Sequence, residues 1–166
     1  MKKWLLVILA LLCVSVAGCS EAKEEFVDAF NQKSELGPFM VNHDEVMEVF
    51  NTSIDDYNLL MEQEDLSVIV AGIEDELIPV TDEAVSLSKK IPFDSESFSD
   101  LQSKRTEAIE KHRESFVLLA DAYSNEDWDK EEEAYGLMDE AYEMFQLFEA
   151  ELIRAGEEMN EEIVLE

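Results

Sequence analysis

Apolar residues recur three and four residues apart along most of the chain, and this period sets the fold. Met47, Phe50, Ile54, Tyr57 and Met61 share one stripe of a helix. The step from Met61 to Leu66 breaks the phase. A second stripe then runs through Leu66, Val70, Ile73, Leu77, Val80, Ala84, Leu87 and Ile91. A tight turn is expected near Glu64-Asp65, with Asp65 capping the second helix, and Pro79 is expected to kink that helix. Ile91 to Ser97 reads as a loop, with Ser97 as the next cap. The third stripe holds Phe98, Leu101, Ala108, Ile109, Phe116, Leu119 and Tyr123, and Ser124 to Asp127 signals another cap. The last helix carries two parallel stripes. One is Tyr135, Met138, Tyr142, Phe145, Leu152 and Met159; the other is Ala134, Leu137, Ala141, Met144, Phe148 and Ala155. No segment alternates with the period of a strand. The expectation is an all-α, antiparallel up-down bundle of four helices, with three helices and one long kinked arm as the alternative.

The bundle is expected to span 42–166. Asn42-His43-Asp44-Glu45 has the form of a capping box, which puts His43 in an exposed cap. Residues 19–41 read as a tether, because Gly37-Pro38 should stop any helix begun at Glu21.

Charge excludes whole classes of partner. The chain has 41 Asp+Glu against 12 Lys+Arg, a formal net charge of -29. Such a field repels nucleic acid and anionic membrane surfaces, and it attracts a cationic protein partner. Six of the ten bases beyond residue 18 fall between Lys89 and Arg113, so the third helix is a basic strip beside an acidic fourth. Arg105 interrupts the apolar face of the third helix, and Glu149 fills a gap in that of the fourth. A hairpin turning near Ser124 brings these positions to one level, so an Arg105–Glu149 ion pair is expected across the interface.

The N-terminus has the parts of an export signal. Lys2-Lys3 precede an apolar run from Trp4 to Val16, too short to span a bilayer comfortably. The run ends in Val16-Ala17-Gly18-Cys19. This resembles the lipobox of bacterial lipoproteins. The resemblance implies that residues 1–18 are removed and that Cys19 carries a diacylglyceryl anchor. It places the protein on the extracytoplasmic face of the cell membrane, or on an outer membrane if the cell has two. Cys13 would leave with the signal, so no disulfide or thiol chemistry is expected.

The search for catalytic chemistry is negative. The mature glycines Gly37, Gly72, Gly136 and Gly156 are isolated, and His43 and His112 stand in no metal-ligating motif. Asp127 to Glu131 lacks the glycine of a calcium loop. No enzyme, metal or cofactor is expected, which leaves a binding or scaffold module at the cell envelope. An envelope protein binding a cation or small ligand is the alternative. The stretch from Lys111 to Leu152 places Tyr123, Tyr135, Tyr142 and Glu149-Ala150-Glu151-Leu152 along acidic helices. It resembles small helical cell-wall-binding lipoproteins (YkyA-like), a likeness of pattern that implies binding to the cell wall.

Overall fold

The computed structural model describes residues 33–165. The signal segment, Cys19 and the first part of the expected tether lie outside them. Among the described residues, four helices make an all-α bundle. Helix α1 is described over 33–60. Helix α2 is a continuous arm of three pieces: Leu66–Gly72, a π-helical turn Ile73–Leu77, and Ile78–Ser88. Helix α3 is Glu96–Asn125 and α4 is Trp128–Glu158. Short turns make neighbours antiparallel. Asn42 of α1 meets Leu87 of α2, Asp82 of α2 meets Arg113 of α3, and Lys104 of α3 meets Glu151 of α4.

The turns follow the chemistry of the sequence. Asp65 caps α2 by accepting from the Ser67 N–H at 2.9 Å. Asp127 caps α4, accepting from the Lys130 N–H, after Glu126 turns the chain in a left-handed conformation (φ 53°). The cap of α3 is Ser95, two residues earlier than Ser97.

Pro79 acts one turn before its own position. It has no N–H to return to Asp75, and the helix widens just upstream, where the Ile78 N–H donates to Ile73 O. The extra residue rotates the buried face by about 100°. Ile73 and Leu77 are buried before it, and Thr81, Ala84 and Ser88 after it. Thr81 tolerates burial because its hydroxyl donates to Leu77 O (2.8 Å) in its own helix. At the α1–α2 turn, a Cβ on Gly72 would come within 2.6 Å of the end of the Leu60 side chain, which would have to shift to admit a larger residue.

The expected boundary at Asn42 is wrong. Helix α1 runs through Gly37-Pro38 without stopping, and Leu36 and Phe39 are core residues. Phe39 packs on Phe93, Phe98 and Phe148. Full burial of one such ring stabilises by roughly 1.5–3 kcal/mol, comparable with the cost of proline in a helix interior. Residues 33–41 thus belong to the domain, and Asn42 is no cap.

Three apolar clusters stack along the bundle. One, at the α1–α2 turn, includes Ile73, Leu77, Phe116 and Leu119. A middle one includes Val46, Phe50, Ile109 and Phe145. The third includes Phe39, Phe98, Phe148 and Leu152, and the chain beyond α4 folds back to place Ile163 and Leu165 against it.

Candidate functional site

Between the middle and third clusters lies a layer that is polar and closed to solvent. Asn42, His43, Ser88, Arg105 and Thr106 are all buried there, Arg105 completely. Arg105 Nη2 donates to Asn42 Oδ1 (2.6 Å) and Nε donates to Ser88 Oγ (3.2 Å). The Ser88 hydroxyl also shares a 2.7 Å hydrogen bond with Thr106. Asn42 Nδ2 donates to Leu87 O (3.0 Å), and Gln102 Nε2 donates to Ser88 O (2.5 Å) and Ile91 O (2.7 Å). The guanidinium carbon stands 5.2 Å from the centre of the Phe39 ring. One layer thereby ties α1, α2 and α3 together.

The expected Arg105–Glu149 pair does not form. Glu149 lies exposed on α4, while Arg105 turns toward α1 and α2. Neutral oxygens and an aromatic face take the place of a carboxylate. Burial pulls the Arg105 pKa down to about 10, so it stays charged at neutral pH. Its Nη1 and His43 Nδ1 are buried without a hydrogen-bond partner. His43 is core rather than an exposed cap. Burial, assisted by the Arg105 charge and opposed by Asp44, pushes its pKa down to about 4. Burial does the same to His112, which packs edge-on against Phe50 and Phe116.

The surface gives a different arrangement. The third helix's stripe is buried throughout, as its spacing predicts. The fourth helix departs from its two parallel stripes. Its buried line is Ala134, Ala141, Phe145, Phe148, Leu152 and Gly156, which draws on both stripes. Tyr135 and Tyr142 are left outside at 39% and 65% exposure, on the same flank as Trp128 at 54%. Seven residues are about two turns, so these three rings form a column along α4. At its turn end, Tyr123 Oη donates to Glu131 (2.9 Å) and lies 3.1 Å from Tyr135 Oη. Burial, these bonds and the Glu131 charge raise the Tyr123 pKa, and burial and the same two neighbours raise that of Tyr57 on α1.

The bases of the bundle are spent within it. Lys89 pairs with Glu110, Lys90 with Glu45, Lys104 with Asp100 and Glu151, Lys111 with Glu140, and Arg113 with Asp82. Lys130 pairs with Asp121, Arg154 with Glu158, and Lys33 with Glu161. The basic strip of α3 therefore serves as mortar toward α2 and α4. Acids far outnumber these partners, and their surplus faces solvent.

Among the described residues, no group of three or more His, Cys, Asp or Glu is arranged to hold a metal ion, and no helix is long and apolar enough to cross a membrane. Compared with known proteins, the chain matches no family model, no curated protein and no solved structure.

Proposed function

We propose that the protein is a lipid-anchored extracytoplasmic module whose acidic bundle holds a cationic protein partner at the cell envelope. The observation that carries the reading is the consumption of the exposed bases in ion pairs, which leaves a surface of uncompensated carboxylates beside exposed aromatic rings. Such a surface steers a basic partner in and repels nucleic acid and anionic polymers. The anchor rests on Val16-Ala17-Gly18-Cys19 and would concentrate the module at the membrane.

Two experiments on the tagged full chain test the two halves. Cys19→Ala should move the protein out of the membrane fraction; a variant that stays firmly bound would remove the lipid anchor from the proposal. In-cell crosslinking of the lipidated protein should capture one dominant partner rich in Lys and Arg. Recovery of no protein partner would overturn the binding role.

A further inference from the structure

The seam between α1 and α4 is built differently from the others. Ion pairs cross from α1 to the end of α2, from α2 to α3, and from α3 to α4. Among the described residues none joins α1 to α4; Lys33 reaches only Glu161, in the tail beyond α4. The sequence offers few bases to cross it. The described part of α1 holds no base but Lys33, and the two bases of α4, Lys130 and Arg154, are engaged elsewhere. Two acidic helices therefore lie side by side with nothing between them to offset their repulsion.

The same seam carries apolar surface that the core did not take. The register is antiparallel, with Phe50 against Phe145 and Tyr57 beside Tyr135. It puts Tyr142 near the level of Ile54 and Glu149 near that of Met47. Met47 and Ile54 are half-buried. Tyr142 is 65% exposed. A shallow groove of about 390 Å³ opens along the middle of α1, where Met40 and Met47 alternate with Asp44 and Glu48 and the tail residue Val164 closes the side. Asp139 is exposed on the α4 side of the aromatic column. The seam is a strip of Met, Ile and Tyr with carboxylates along both edges.

We propose that the α1–α4 seam is the docking groove for a basic amphipathic helix of the partner. This rests on the binding role proposed above and names the surface and the kind of segment that fits it. The apolar side of the incoming helix covers Met47, Ile54 and Tyr142. Its Lys and Arg side chains reach Asp44 and Glu48 on one edge and Asp139 and Glu149 on the other, and stack on Trp128 and Tyr142. Charge selects the occupant. A second copy of this chain would bring carboxylates against carboxylates, and an anionic membrane surface would do the same. A basic helix supplies the charge that neither wall of the groove has. Methionine on one wall lets the floor adjust to the side chains that arrive.

The test uses the full lipidated chain in neutral detergent micelles; Trp4 leaves with residues 1–18, so Trp128 is the remaining tryptophan. The probe is a synthetic amphipathic helix of Leu and Lys, with a Leu and Glu helix of equal length as control. The Leu–Lys helix should shift Trp128 emission saturably at one peptide per protein, and the Leu–Glu helix should not. Tyr142→Ser, which removes an exposed ring and no charge, should weaken binding about tenfold. Glu114→Gln with Glu133→Gln, two exposed charges away from the seam, should change it less than twofold. Equal weakening by both variants would reduce the interaction to diffuse charge attraction and overturn the groove. No Trp128 response would overturn it too. A response that appears only after residues 19–32 are deleted would assign the groove to the chain's own N-terminal segment, and dimerisation that Tyr142→Ser abolishes would assign it to a second copy.

A photo-crosslinker placed in cells at position 142 or at exposed Val117 on α3 separates this inference from the reading beneath it. A partner captured at 142 through a segment that mapping shows to be a basic helix agrees with both. A partner captured only at 117 keeps the binding role and removes the groove. No capture from either position removes both.

Discussion

Arg105 shows how much one buried charge organises. Its cation has two oxygen acceptors and a ring for company, and no carboxylate. Such an arrangement contributes little net stability but makes misalignment expensive: slipping one helix along α3 would leave the guanidinium among phenylalanines. Asn42→Ala should cost about 2–4 kcal/mol in urea unfolding, because it strands Arg105 Nη2 and Leu87 O together. Arg105→Met should be neutral or stabilising, since the charge leaves along with its desolvation cost. The opposite ranking would mean that the layer is a net source of stability. The buried histidines give a pH signature. Both are pushed down to about 4 from an ordinary 6.5, so the folded state keeps them neutral while the unfolded state takes up protons. Their contribution is complete above pH 6.5 and is lost as pH falls from 6.5 toward 4, by up to about 3 kcal/mol for each. Denaturant melts at pH 7 and pH 5 should show this slope. In a His43→Gln, His112→Gln chain the slope should flatten over that interval.

At the scale of elements, α1 is longer than its sequence advertises. Glu35, inside the expected tether, accepts from the Asp94 N–H (2.7 Å), the Ser95 N–H (3.1 Å) and the Ser95 hydroxyl (2.5 Å). One helix thus ties down the loop that starts another. Partial burial alone would raise the Glu35 pKa, yet these bonds hold it below its ordinary value. A chain shortened to begin at Asn42 should lose about 4 kcal/mol or more, from Phe39, Leu36 and this cap together. Thermal melting measures it, and a shortened chain as stable as the full one would return residues 33–41 to tether status. Glu35→Ala alone should cost about 1 kcal/mol. Helix α2 teaches the same lesson about phase. Its sequence stripe holds up to Leu77. The π turn then shifts the buried face onto Thr81 and Ser88, polar positions that no hydrophobic pattern would select.

For the whole molecule the governing quantity is charge. A chain at net charge -29, with two acidic helices adjacent, is strained by self-repulsion that salt relieves. Its exposed ion pairs are worth little each, so screening them costs less than screening the repulsion gains. The melting temperature should therefore rise by several degrees between about 10 mM and 150 mM sodium chloride. A fall would mean that the ion pairs outweigh the repulsion. The same surplus of acid makes the seam between α1 and α4 a place that a basic partner would stabilise.

Much of this was legible in order of residues. The absence of strand alternation, the breaks at Asp65, Pro92 and Asp127, and the stripe of α3 determined four helices and their antiparallel sequence, because local periodicity and capping are properties of neighbours along the chain. The surplus of acid was equally plain, since charge is additive. Tertiary structure decided what lies inside. It took Asn42, His43, Ser88 and Arg105 into the core, carried α1 past Pro38, left Glu149 unpaired with Arg105, and turned Tyr135 and Tyr142 outward. Those outcomes depend on which groups three helices bring to one level. Hydrogen-bond satisfaction and ring packing across the bundle outweighed the local preferences of residues that, read singly, belong on the surface.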